Sequence, residues 1–149
     1  MEKKTIAVDF DGTIVENAFP AIGKPMLFAF DTLKKLQAEG HILILWTYRA
    51  GSKLKEAVDY CKENGIEFYA VNQSYPEEVF SDGISRKINA DLFIDDRNIG
   101  GMMGWGEIYH LLINEKVDKP SLKKDKRIKG SKRKPSFLSK FENLFKDEE

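Results

Sequence analysis

Four aspartates fall in two tight groups, Asp9-Phe10-Asp11 and Asp95-Asp96, each directly after a short apolar run. Carboxylates brought together repel one another unless a cation sits among them. Donors that are all oxygen suit a hard divalent ion such as Mg2+ far better than a soft one. Cys61, His41 and His110 show no ligand spacing, which argues against zinc. Mg2+ keeps waters and takes substrate phosphate oxygens, so the set points to phosphoryl chemistry. Thr47 ends another apolar run and offers a hydroxyl donor. Lys87 supplies a fixed positive charge for phosphate oxygens, with Arg86 beside it as the competing candidate. Arg49, two residues past Thr47, has two readings: a bidentate grip on a phosphate or other acidic group, or a solvated loop arginine.

Such residues work together only if the fold gathers them. Thr5–Val8, Ile42–Trp46, Phe68–Val71 and Leu92–Ile94 read as strands, and Ile42–Trp46 is apolar on both faces, as a helix-covered parallel strand must be. Helical spacing runs through Met26, Leu27, Phe30, Leu33 and Leu36 and predicts a helix over Met26–Gln37, stopped by Gly40. Ser52 is positioned to cap a second helix with Leu54, Ala57, Val58 and Cys61 inward and Gly65 past its end. Trp105, Ile108, Leu111 and Leu112 mark a last helix, while residues 72–90 are polar and irregular apart from a short helix near Pro76–Phe80. Strands alternating with helices predict an α/β fold with a mainly parallel sheet. Ligands of such sheets bind outside the carboxyl ends of the strands, where Asp9, Asp11, Thr47, Asp95 and Asp96 all fall and which Lys87 can reach.

The ordered set Asp9-Phe10-Asp11-Gly12-Thr13-Ile14-Val15, then Thr47, Lys87 and Asp95-Asp96 resembles the four motifs of the haloacid dehalogenase-like superfamily, and in particular its small phosphatases. The resemblance covers residues 5–114. It implies a Rossmann-like three-layer sandwich and a Mg2+-dependent phosphomonoester hydrolase working through an aspartyl-phosphate. Asp9 would be the nucleophile and Asp11 the general acid and base. The metal would be held by Asp9, the Asp11 main-chain carbonyl and Asp95, with Asp96 ligating directly or through water. Thr47 and Lys87 would bind the substrate phosphate. Family caps enter after the first motif or before the lysine motif. Here 37 residues separate Asp9 from Thr47, a dozen of them assigned to the first helix, and the second slot, Asn72–Arg86, has 15. Neither holds a folded cap. The chain thus resembles cap-less members, which act on large substrates or close their sites with a neighbouring subunit, so a homo-oligomer is one expectation.

Other readings of the same residues weigh less. Asp-Gly is a common turn signal, but it does not account for the downstream companions. An EF-hand needs glycine at its sixth position, and Gly12 falls at the fourth. A receiver domain also sets acids, a threonine and a lysine on one rim, yet there the acids precede the threonine and the lysine comes last. The alternative of another class is a catalytically idle module that binds partners or a membrane through its tail.

The 149 residues carry 24 basic and 24 acidic side chains. Residues 1–118 hold 13 basic against 19 acidic groups, and residues 119–149 hold 11 against 5. The first stretch reads as one domain, residues 119–135 as a basic linker, and 136–149 as an amphipathic helix bearing Phe137, Leu138, Phe141, Leu144 and Phe145. Three destinations stand for that tail: a groove of the same domain, a partner subunit, or an anionic membrane or nucleic acid. The longest apolar runs have five residues, too short to span a bilayer, and a lone cysteine suits a reducing compartment. The expectation is a cytoplasmic protein.

Overall fold

The chain divides into two units, residues 1–117 and 118–149. The computed structural model describes residues 2–113, within the first. The linker expected over 119–135 and the helix expected over 136–149 lie outside the described residues.

Four short strands, β1 (Thr5–Val8), β2 (Ile42–Leu45), β3 (Ala70–Val71) and β4 (Leu92–Ile94), form one parallel sheet in the order β3-β2-β1-β4. Its register is level. Val8 pairs with Leu45 on one side and Ile94 on the other, and the amides of Trp46 and Asp9 donate to the carbonyls of Val8 and Ile94. The chain therefore leaves β1, β2 and β4 at one height, which puts the residues after those strands on a common rim. β3 is shorter than the expected Phe68–Val71, although the Tyr69 and Asn72 amides still donate to β2 carbonyls at Leu43 and Leu45.

Side chains alternate across the sheet, as a period of two requires. Ile6, Val8, Leu43, Leu45 and Ile94 enter the larger core, where they meet all three helices: α1 (Ala29–Ala38), α2 (Gly51–Glu63) and α3 (Trp105–Ile113). Ala7, Ile44 and Ala70 face the other way and are covered by Ile88 and Ala90 of the irregular 72–90 segment. The fold is a small Rossmann-like α/β domain, and no cap domain occurs among the described residues. Its third layer is irregular chain: no helix covers the second face among those residues, and none forms at Pro76–Phe80.

Two helix starts differ from the sequence pattern. α1 begins at Ala29, not Met26, because Phe28 sits at φ 64°, left-handed backbone that ends helical continuity. Met26 instead donates its amide to the Ile14 carbonyl, while Val15 bridges to Pro25 and the Glu16 amide donates to Lys24. Residues 16–25 are thereby pinched into a strap beside the first motif. α2 is preceded by Ala50, with no side-chain cap, and Ser52 lies inside its first turn. Gly40, at φ 90°, follows α1 as expected of a C-terminal stop. No helix among the described residues is long and apolar enough to cross a membrane.

Candidate active site

The rim of the sheet opens into a cavity of about 540 Å³ whose lining includes Asp9, Asp11, Thr47, Arg49 and Asp95. Asp9, Asp95 and Asp96 each offer a carboxylate oxygen within 4.8 Å of the others. Thr13, fully buried, ties the two strand ends together: its hydroxyl donates to Asp9 Oδ2 at 3.1 Å and accepts from the Asp96 amide at 3.1 Å. Thr13 is held in turn through its carbonyl, which accepts from Trp105 Nε1 at 2.9 Å. Gly12 completes the packing. Its φ of 87° suits glycine, and a Cβ there would come within 2.3 Å of Asp96 Oδ2.

This arrangement is short of positive charge. Burial pushes the Asp9 carboxyl up to about 6, with Asp95 and Asp96 adding to the rise against the opposing hydrogen bonds from the Phe10 backbone and the Thr13 hydroxyl. Asp96 Oδ1 is buried with no hydrogen-bond partner among the described residues. One oxygen of Asp95 accepts from the Arg97 amide at 2.7 Å, and its second oxygen remains for another partner. A bare carboxylate oxygen out of water is costly, and three carboxylates around one point fit a hard divalent cation. The Asp11 carboxylate lies outside this group, so only its main-chain carbonyl is left for the metal role expected of it.

Asp11 is engaged elsewhere. Arg49 Nε and Nη2 donate to its two oxygens at 2.7 Å each, while Nη2 and Nη1 also donate to the carbonyls of Ala21 (2.6 Å) and Pro20 (3.3 Å). The guanidinium lies 5.1 Å from the Phe10 ring centre and 5.3 Å from that of Phe19. Arg49 is only 3 % exposed. Both sequence readings of Arg49 therefore give way: it is neither solvated nor free for a substrate, because Asp11 and two strap carbonyls occupy its fork. It anchors the 16–25 strap to the general-acid candidate.

Thr47 stands where expected. The Asn72 side chain accepts from its amide at 2.8 Å, and its hydroxyl oxygen accepts from the Arg49 amide at 3.3 Å, leaving the hydroxyl proton to donate into the cavity. Lys87 does not reach the site. Its ammonium lies 5.7 Å over the Phe93 ring, on the sheet face opposite the helices, and Arg86 lies over Phe80 instead. The irregular segment before β4 sets both side chains against rings, and neither residue lines the cavity. The cation that does line the cavity, besides the committed Arg49, is Arg97. Sequence reasoning gave no site role of their own to Thr13, Arg97, Asn17 and Phe19. Only Thr13 had a local signal, as a member of the first motif. Cys61 is buried in the core and its thiol is pushed up to about 12, so it supplies no nucleophile.

A parallel α/β sheet bearing a carboxylate cluster on its carboxyl rim is thus the class that fold and site define. No family model matches the chain, and no curated protein matches it. Among solved structures it is similar to that of a conserved protein coded by a locus of Bacteroides thetaiotaomicron, at 55% identity and a TM-score of 0.73, over 76% of this chain and 93% of that one. The chain belongs to the family of that Bacteroides protein.

Proposed function

We propose that this chain is a Mg2+-dependent phosphomonoesterase of the haloacid dehalogenase-like type, acting in the cytoplasm through an aspartyl-phosphate. One observation carries the reading: the Asp9–Asp95–Asp96 group, with an Asp96 oxygen that has no partner among the described residues, adjoins the cavity that also holds Asp11 and Thr47. Asp9, Asp95 and Asp96, with the Asp11 carbonyl, would hold the ion. When bound, Mg2+ supplies positive charge against the phosphate oxygens.

The chain's own groups account for the rest. Asp9 attacks phosphorus with a carboxylate oxygen as the ester P–O bond breaks, and Asp11 gives its proton to the departing alkoxide. A water then attacks the aspartyl-phosphate, Asp11 takes the water's proton, and the P–O bond to Asp9 breaks to release phosphate. Thr47 donates to a phosphate oxygen, and Arg97 takes the charge-balancing role first expected of Lys87. Arg49 holding both Asp11 oxygens suits the ionised, water-activating half of the cycle. The protonated half requires one of those contacts to open.

The test is phosphate release from a broad panel of phosphate esters, with Mg2+ and with chelator. Mg2+-dependent release from at least one ester is expected, falling by about 10²-fold or more in chelator. No release from any of them overturns the reading and leaves the idle-module alternative. The metal site has a separate readout. At 100 times its dissociation constant Mg2+ adds about 2.7 kcal/mol of stability, and Asp95→Asn should remove most of that gain. Because Asp9 takes up a proton near pH 6, the gain should shrink as pH falls through that value. Equal melting temperatures with Mg2+ and chelator at pH 7.5 would count against a shared ion.

A further inference from the structure

Three of the residues that line the cavity are aromatic. Phe19 is 59% exposed and Tyr48 fully exposed, and both line the cavity together with half-buried Trp46. Their places are tied to the reacting groups. Tyr48 directly follows Thr47, which lines the same cavity. Phe19 directly precedes Pro20, whose carbonyl is held by the same Arg49 that grips Asp11. The Arg49 guanidinium, 5.3 Å from the Phe19 ring centre, packs against that ring and fixes it beside the cavity.

Asp11 protonates the leaving oxygen, so the group attached to that oxygen must pass Asp11 and meet Phe19 and Tyr48. A polyol there would need several hydrogen-bond partners. Asn17, Thr47, Arg97 and the Tyr48 hydroxyl offer such partners, yet Phe19, Trp46 and Tyr48 also present ring faces to the cavity. Flat rings, by contrast, stack on aromatic faces irrespective of their hydrogen-bonding pattern. We infer that the site selects phosphate monoesters whose leaving group carries a flat aromatic ring, read by Phe19 and Tyr48. The inference rests on the phosphomonoesterase reading and names its substrate class.

The experiment uses two matched pairs of esters, the full chain and saturating Mg2+. A nucleoside 5′-monophosphate and ribose 5-phosphate share a primary leaving alcohol and differ by the base. Benzyl phosphate and cyclohexylmethyl phosphate also share a primary alcohol and differ in the flatness of the ring. The readout is the ratio of kcat/KM within each pair, which cancels any effect on the chemistry common to both members. In the wild type the aromatic member should lead by about tenfold or more. Preference in the first pair identifies a nucleobase as the source of the ring, and preference in the second alone identifies an aryl group. In Tyr48→Ala and in Phe19→Ala the ratio should fall towards about two. Parity in both wild-type pairs overturns the inference while leaving hydrolysis intact, as does a preference that both variants retain in full. Should none of the four esters be hydrolysed, the phosphomonoesterase reading is judged on the broad panel alone. Ring recognition is then read from tryptophan fluorescence: quenching by the nucleoside monophosphate but not by ribose 5-phosphate supports it, and equal response to the two overturns it.

Discussion

Asp9→Asn is expected to abolish phosphate release, by about 10⁴-fold or more, while making the metal-free protein more stable at neutral pH. A carboxamide is nearly isosteric with the carboxylate and can still accept the Thr13 hydroxyl, but it offers no anionic oxygen to attack phosphorus. Its effect on stability follows from the upward shift of the Asp9 carboxyl to about 6, caused first by burial. Between pH 3.8 and 6 the unfolded chain has lost the proton that folded Asp9 still holds. Stability therefore falls as pH rises through that window, and the whole cost is present above it. Because Asp9 is only partly buried, screening reduces the cost to about 1–2 kcal/mol. Removing the charge should return that amount at pH 7.5 and almost nothing near pH 4. Unfolding at the two pH values, in chelator, checks the sign. A variant that keeps more than about one per cent of wild-type turnover, or that melts lower than wild type at pH 7.5, would defeat the assignment of Asp9.

The second large effect is expected at Arg49, which touches no substrate in the proposed chemistry. Arg49→Met keeps the apolar stem but strands the Asp11 carboxylate and the carbonyls of Pro20 and Ala21. Arg49 is buried but the Asp11 carboxylate keeps some exposure, so breaking the pair from one side costs about 2–3 kcal/mol. In a domain of this size that lowers the melting temperature by about 10 °C. Arg49→Lys should rescue little, because one ammonium cannot span two carboxylate oxygens and two carbonyls at once. Turnover, measured below the lowered melting point, should drop by about 10²-fold as Asp11 loses its orientation. Adding Asp11→Asn to Arg49→Met should recover part of the stability, since the uncompensated charge is then gone. If Arg49→Met instead melts within about 1 °C of wild type, the buried fork is not what anchors the strap.

The acid residues were legible in the sequence because their placement is a local matter. An apolar run that must be a buried strand ends at Asp9, another at Thr47 and another at Asp95. Parallel pairing in level register then delivers all three ends to one rim. The second and third helices were legible for the same reason, since one face of each carries apolar residues at helical spacing. Where local pattern and tertiary demand disagreed, the pattern misled. Met26 and Leu27 continue the rhythm of α1, yet the strap takes Met26 for a hydrogen bond to Ile14, and Phe28 turns left-handed to make the join.

Three features belong to the tertiary structure alone. Arg49 could be seen to lie two residues beyond Thr47, but its partner Asp11 lies 38 residues earlier in the chain. Lys87 sits in an irregular segment that carries no periodicity, and its course over the second sheet face, where the ammonium meets Phe93, follows from burying Ile88 against Ala7 and Ile44. The exposure of Phe19 and Tyr48 beside the same cavity joins a strap to a strand end. Residue type and spacing determine which side chains can do chemistry and on which end of a strand they stand, because those follow from backbone periods of 2 and 3.6 residues. Which distant groups then neutralise, orient or surround them depends on how irregular chain closes over the sheet, and that is decided only when the whole core packs.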